Sequence, residues 1–244
     1  AELAGGAQSL FDTSNPENLL YLYLSFAVIK AIHELGHGFS CKHFGKLNGS
    51  GGDVYTIGIM LLVLMPAPYV DASTSWTFRS KWHRIIVALA GMYYELAVAA
   101  IAAVVWANTA SGPVINNIDY NAIFLASVST ILFNANTLLR FDGYYVLSDL
   151  MEIPNLAQRS KEYIYYLVKR FAFGVKKLPS PAHTSGERYW LVFYGITSGV
   201  YRVLISVGIL LFIASKFFII GMILAAASLV GWVVVPVGKF FQYL

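Results

Sequence analysis

Leu24-Ser25-Phe26-Ala27-Val28-Ile29-Lys30-Ala31-Ile32-His33-Glu34-Leu35-Gly36-His37-Gly38-Phe39 decides how this chain is read. The stretch belongs to an apolar run from about Leu19 to His43, long enough to cross a bilayer as a helix. On a helix His33 and His37, four residues apart, point to one side about one turn from each other. That spacing suits two corners of a tetrahedral zinc site, and Glu34 beside them is placed to act as general base on a water at the metal. Ionisable groups at membrane depth are costly and usually functional, which weighs against two interior histidines that merely hydrogen-bond to neighbours. The chemistry expected is hydrolysis at membrane depth.

Composition agrees with a membrane chain. Of 244 residues, 57% are hydrophobic and only 12% are charged, where soluble domains carry about 25% charged residues. The net charge of +4 comes from basic residues that flank apolar segments, as membrane topology requires, and gives no reason to expect nucleic acid. Cys41 is the one cysteine, which excludes an intrachain disulfide. It follows His37 by one turn and reads as a small packed hydrophobe rather than a ligand. The chain begins without Met and shows no signal-peptide pattern, so it reads as a processed or partial piece of something longer.

The fold class expected is an all-α polytopic membrane protein with about five transmembrane helices. Residues 1–18 form a polar N-terminal segment, and 19–150 a catalytic membrane core. Within that core, 54–70 is apolar but short and is interrupted by Pro66 and Pro68, and Val54-Tyr55-Thr56-Ile57 favours a strand. The whole reads as a re-entrant segment or β-hairpin tucked against protein, since bare non-helical backbone is not tolerated in lipid. Its strand offers an edge for an extended substrate. Two spans follow, 85–107 and 121–139, the second after a polar loop with Gly112-Pro113 and Asn116-Asn117. Residues 151–188 are a basic interfacial region, with Tyr163, Tyr166, Leu167, Phe171 and Phe173 at the interface. Residues 189–244 form a C-terminal transmembrane hairpin. If 54–70 does not cross, fourteen of the 17 Lys and Arg fall on one side, which places the motif near the cytoplasmic end of its helix.

A catalytic zinc needs three protein ligands and an open position. His43 follows His33 at a spacing used by soluble three-histidine metalloproteases, but only where the helix ends and the chain turns back. If the helix continues, His43 lies about 9 Å along the axis from His37 and about 120° around it. Asp142, just past the third span, is the better candidate, with an ion pair to Arg140 as the alternative. Spacing alone leaves that choice open.

His33-Glu34-Leu35-Gly36-His37 on one membrane helix, followed by Asn134 and then Asp142-Gly143 at the end of a later one, resembles the site-2 protease family of intramembrane zinc proteases. The likeness covers roughly residues 19–150. It implies a three-helix core in which Asp142 is the third zinc ligand. A finer likeness, carried by Leu139-Arg140-Phe141-Asp142-Gly143-Tyr144-Tyr145, Leu147-Ser148-Asp149-Leu150 and Phe193-Tyr194-Gly195-Ile196, points to a bacterial branch of peptide zinc metalloproteases. It implies residence in the bacterial inner membrane, a peptide or membrane-protein substrate, and a link to peptide processing or export in a larger assembly. Thr137 stands where the family has Pro, and Gly91-Met92 and Glu95 stand where it has Gly-Pro and Asn.

The resemblance assigns zinc to His33, His37 and Asp142, and catalytic roles to Glu34 as base and Asn134 as a donor to the substrate carbonyl or oxyanion. A helix–helix hydrogen bond is the competing role for Asn134. Lys30 directs its amine away from Glu34, because pairing would make the base less basic. Glu95 is paired with Arg202 across helices, Asp71 is a turn or capping residue, and Tyr144 and Tyr145 are interfacial aromatics. The runner-up function is a non-catalytic membrane scaffold or transport subunit that keeps a metal site; Glu34 argues against it, since a structural site has no need of a base.

Overall fold

The computed structural model describes residues 16–49, 51–62, 65–108, 113–171, 173–175 and 178–231. Most of the polar segment 1–18, and the end of the last apolar stretch, lie outside the described residues. The chain divides into two units, Ala1–Leu156 and Ala157–Leu244.

The first unit begins with helix α1 (Pro16–Asn48), unbroken through both histidines and past His43. An antiparallel hairpin follows, β1 (Ile57–Leu62) and β2 (Met65–Val70), in register from Ile57 opposite Val70 to Leu62 opposite Met65. The expected hairpin is there, with its first strand starting at Ile57 rather than Val54. The Asp71 N–H donates to Thr56 O (2.9 Å) on the β1 side, so Pro66, Pro68 and Val70, of opposite parity, face the other edge. That edge lies along α1: the Tyr23 hydroxyl donates to Pro66 O at 3.4 Å and the Val70 N–H to Glu34 Oε2 at 3.0 Å. The prolines thus take no hydrogen bond from the β1–β2 ladder.

After a short 3-10 turn (Ser73–Thr77) come α2 (Lys81–Asn108) and α3 (Pro113–Val128), the latter running into a π turn over Ser129–Asn134. Pro113 opens α3, as suits a residue with no N–H to give, so Asn116-Asn117 is helical rather than loop. Helices α1, α2 and α3 pack on one another. Each contributes one residue to a buried cluster of Ile29, Ala99 and Ala126, and the small side chains let the helices approach closely. A second cluster joins Cys41, Phe78 and Val87. The last helix of the unit, α4 (Asp142–Leu150), packs against α2.

The second unit holds the amphipathic α5 (Leu156–Phe171) from that helix's second residue on, then α6 (Ser185–Lys216) and α7 (Phe218–Leu229). Tyr163 and Tyr166 are buried and stacked with ring centroids 5.7 Å apart, not spread on an interface; Phe171 is exposed. Among the described residues two helices, α2 and α6, are long and apolar enough to cross a membrane. The outer face of α6 exposes Leu204, Leu211 and Phe212.

Candidate metal centre

Helix α1 presents His33, Glu34 and His37 from adjoining turns, with His33 buried and the other two half-buried. The third group arrives from α4. The π turn closes with Ala135 N–H on Thr130 O (2.7 Å), and Asn136 Oδ1 then accepts from the N–H groups of Leu138 and Leu139 (2.9 and 3.3 Å). These contacts end the helix and turn the chain. Asp142 is the first residue of α4, and Gly143 lets α4 start tight against the π turn, since a Cβ there would lie 2.6 Å from Ala135 C and O.

His33, His37 and Asp142 converge. His33 Nε2 is 3.0 Å from His37 Nε2 and 3.1 Å from Asp142 Oδ2, and His37 Nε2 is 3.5 Å from Asp142 Oδ1. The far ring nitrogens fix the tautomers. His37 Nδ1 lies 2.7 Å from Val87 O, which can only accept, and His33 Nδ1 lies 3.3 Å from the Glu95 carboxylate. Both Nδ1 atoms therefore carry hydrogen, and both Nε2 atoms present lone pairs to each other. Two lone pairs at 3.0 Å do not bond without a cation or proton between them. Asp142 Oδ2, though close to His33, is buried and receives no aligned hydrogen bond. Metal bonds of about 2.0–2.1 Å in a tetrahedron imply ligand separations of about 3.4 Å, which the three observed distances bracket. The donor set fits a divalent cation. A glycine makes room for it: a Cβ on Gly91 of α2 would lie 2.5 Å from both Nε2 atoms.

Glu34 sits beside this group. Its Oε2 accepts from the Val70 N–H, and with His37 and Asp142 it lines a cleft of about 410 Å³. Tyr69, Trp76, Arg84, Arg140 and Tyr145 line it too. Asp71, at the cleft wall, accepts from the Ser73 N–H at 3.0 Å as the expected turn residue, and its hydrogen bonds from Ser73 hold its carboxyl below the usual range.

Behind His33 lies a network the sequence did not reveal. Glu95 of α2 is fully buried; Lys30 Nζ reaches its Oε1 and also Ser129 Oγ, each at 2.6 Å. Thr130 Oγ1 and Asn134 Nδ2 (2.7 Å) donate to Oε2. The expected partner of Glu95 was Arg202; the carboxylate is taken instead by Lys30, His33, Thr130 and Asn134 of the first unit. Lys30 does turn away from Glu34. Removing one partner of so buried a pair costs about 3–5 kcal/mol.

Asn134, expected to donate to substrate, has its amide nitrogen on Glu95 and 3.5 Å from His33 Nδ1, on the side of the ring away from Asp142. The hydrogen bond between helices is the one it makes here. Among the described residues the ionic partners of Asp142 are His33 and His37, not Arg140. His43 is exposed and stacks edge-on against Phe44, away from the group. Cys41 is buried, with Sγ 3.3 Å from Thr74 Oγ1, a packed residue. Tyr144 is buried rather than interfacial, whereas Tyr145 is partly exposed beside Trp76.

Comparison of the chain with protein-family models, with curated proteins and with solved structures finds no match.

Proposed function

We propose that this chain is an intramembrane zinc metalloendopeptidase of site-2 protease type, a multi-pass protein of the bacterial inner membrane. The observation that supports it most is the convergence of His33 Nε2, His37 Nε2 and Asp142 on one point, with Glu34 beside it in an open cleft. The packing of α1, α2 and α3, with the hairpin laid along α1, agrees with the three-helix core that the sequence resemblance implies. Thr137 replaces the family's Pro, and here the π turn and Asn136 supply the break that brings Asp142 round.

Zinc held by His33, His37 and Asp142 supplies a Lewis acid that polarises a scissile carbonyl and acidifies water. Glu34 takes the proton from the attacking water and delivers it to the leaving amine. The Val87 carbonyl holds the His37 imidazole from behind. A peptide bond in a helix is shielded by its own hydrogen bonds, so the substrate is unwound before it is cut. The hairpin offers it an edge on β1, where Ile57, Ile59 and Leu61 are exposed and face away from β2. On the α1 side, Pro66 and Pro68 leave only carbonyls.

A structural metal site in a scaffold protein has no use for a carboxylate poised in a cleft beside its ligands, and this favours the enzyme. The test is cleavage of an unfolded protein and of peptides with helix-breaking centres by zinc-loaded wild type and Glu34→Gln. Wild type gives products that Glu34→Gln and a chelated sample do not. Equal products from both proteins refute the reading.

A further inference from the structure

Glu95 has no part in the chemistry above, yet it is fully buried with donors facing both of its oxygens. Its Oε1 faces two donors, Lys30 Nζ at 2.6 Å and His33 Nδ1 at 3.3 Å. Its Oε2 faces two more, Thr130 Oγ1 and Asn134 Nδ2. Ser129 Oγ holds the same ammonium from the other side. Ser129, Thr130 and Asn134 all belong to the π turn, a local widening of the helix that occurs often at functional sites.

We propose that Glu95 is the positioning residue of the metal centre, holding the Nδ1–H of His33 so that Nε2 is offered to a divalent cation as a lone pair. The inference rests on the metal site proposed above and on three observations. First, the two ligand imidazoles are fixed by different means. Val87 O, a backbone carbonyl, holds His37, and a side-chain carboxylate 62 residues along the chain from His33 holds the other ring. Such outer partners fix tautomer and ring orientation and raise ligand basicity. Second, the carboxylate is not free to swing away, because donors engage both oxygens. Third, neutralising Lys30 alone would not require this arrangement: Thr130 and Asn134 act on the oxygen that Lys30 does not touch.

A carboxamide at position 95 can keep its oxygen toward Lys30 and His33, since the Thr130 hydroxyl and a turned Asn134 amide accept from its NH2. It loses the charge, and a charge-assisted hydrogen bond is roughly twice as strong as a neutral one. Glu95→Gln therefore weakens the hold on the His33 Nδ1–H whichever way it turns. Lys30→Met with Glu95→Gln removes the buried charges together, which protects folding in case the single variant is unstable.

The experiment measures the zinc affinity of the full chain in detergent by competition with a chromophoric chelator, alongside helix content and thermal midpoint. Wild type, Glu95→Gln, and the double variant Lys30→Met/Glu95→Gln are compared. Loss of about 10–100-fold in affinity is expected for Glu95→Gln. The double variant stays equally weak even where its thermal midpoint returns to the wild-type value. If Glu95 serves only to neutralise Lys30, the double variant recovers wild-type affinity, and the proposal is overturned. It is overturned too if Glu95→Gln binds zinc within about twofold of wild type, well short of that expected loss. Should wild type itself bind no zinc, the metal site falls and this inference with it; wild-type binding with an indifferent Glu95→Gln sinks the inference alone.

Discussion

Replacing Gly91 by alanine should empty the metal centre while leaving the fold in place. A Cβ at this position would lie 2.5 Å from His33 Cε1, His33 Nε2 and His37 Nε2. Carbon contacts settle at about 3.5–4.0 Å, so the methyl group demands a retreat of about 1 Å. Metal sites tolerate about 0.2 Å in their bond lengths. The imidazoles have little room to yield, because Val87 O holds His37 Nδ1 at 2.7 Å and Glu95 stands 3.3 Å behind His33 Nδ1. Lifting helix α2 away would open its close packing on α1 at Gly36, against Tyr94 and Ala90. The expected loss is at least about 100-fold in zinc affinity, or about 3 kcal/mol, comparable to what a misplacement of about 1 Å costs a reacting group. Alanine for glycine in a helix interior otherwise favours the helix by about 1 kcal/mol, so helix content should hold. The assay is chelator-competition zinc binding with circular dichroism. Gly208→Ala on α6, where a Cβ meets nothing within 4 Å, serves as control. Zinc affinity in Gly91→Ala within about threefold of wild type, with the fold intact, would refute the crowding argument on which that loss was worked out.

Glu34→Gln should keep its zinc and lose about 10²–10⁴-fold in turnover, checked by product formation against metal content; loss of zinc along with activity would move Glu34 from base to ligand. At the start of α6, Thr184 Oγ1 accepts from the Glu187 N–H (3.2 Å) while Glu187 Oε2 accepts from the His183 N–H (2.7 Å), a reciprocal cap. Thr184→Ala should destabilise this helix start by about 1 kcal/mol, read by hydrogen exchange at residues 185–188. Burial pushes the Glu187 carboxyl up, but the His183 N–H and the Arg159 guanidinium outweigh it and hold it below the usual range. With the folded value depressed, this contribution is full above the ordinary glutamate range and fades as pH falls through the folded value. Amide protection at the start of α6 should follow that course in acid; protection unchanged there would contradict it.

The three residues of the candidate metal centre were legible because each leaves a local mark. His33 and His37 share a face by their spacing in an apolar run, and Asp142 is an isolated carboxylate just past another. The partner of Glu95 was not legible, because Lys30 stands 65 residues away and only the packing of α1 on α2 joins them. One signal was present: Glu95 follows Gly91 by one turn, so a helix that offers Gly91 to the histidines offers Glu95 to the same neighbour. The π turn left no such mark, since Ser129–Asn134 reads as ordinary helix until its hydrogen bonds are seen. Tyr144, Tyr163 and Tyr166 show the limit of an aromatic pattern. An amphipathic ring suits a membrane interface and a protein interior alike, and here these three rings are buried.

The central claim is that His33, His37 and Asp142 are the ligands of one zinc ion. The most direct measurement is the zinc content of the full chain purified in detergent without chelator, wild type beside Asp142→Ala. About one zinc per chain is expected in wild type, the number a single three-ligand site holds, and a large loss in Asp142→Ala with helix content unchanged. Wild type without zinc, or an Asp142→Ala protein that keeps its full complement, would contradict it.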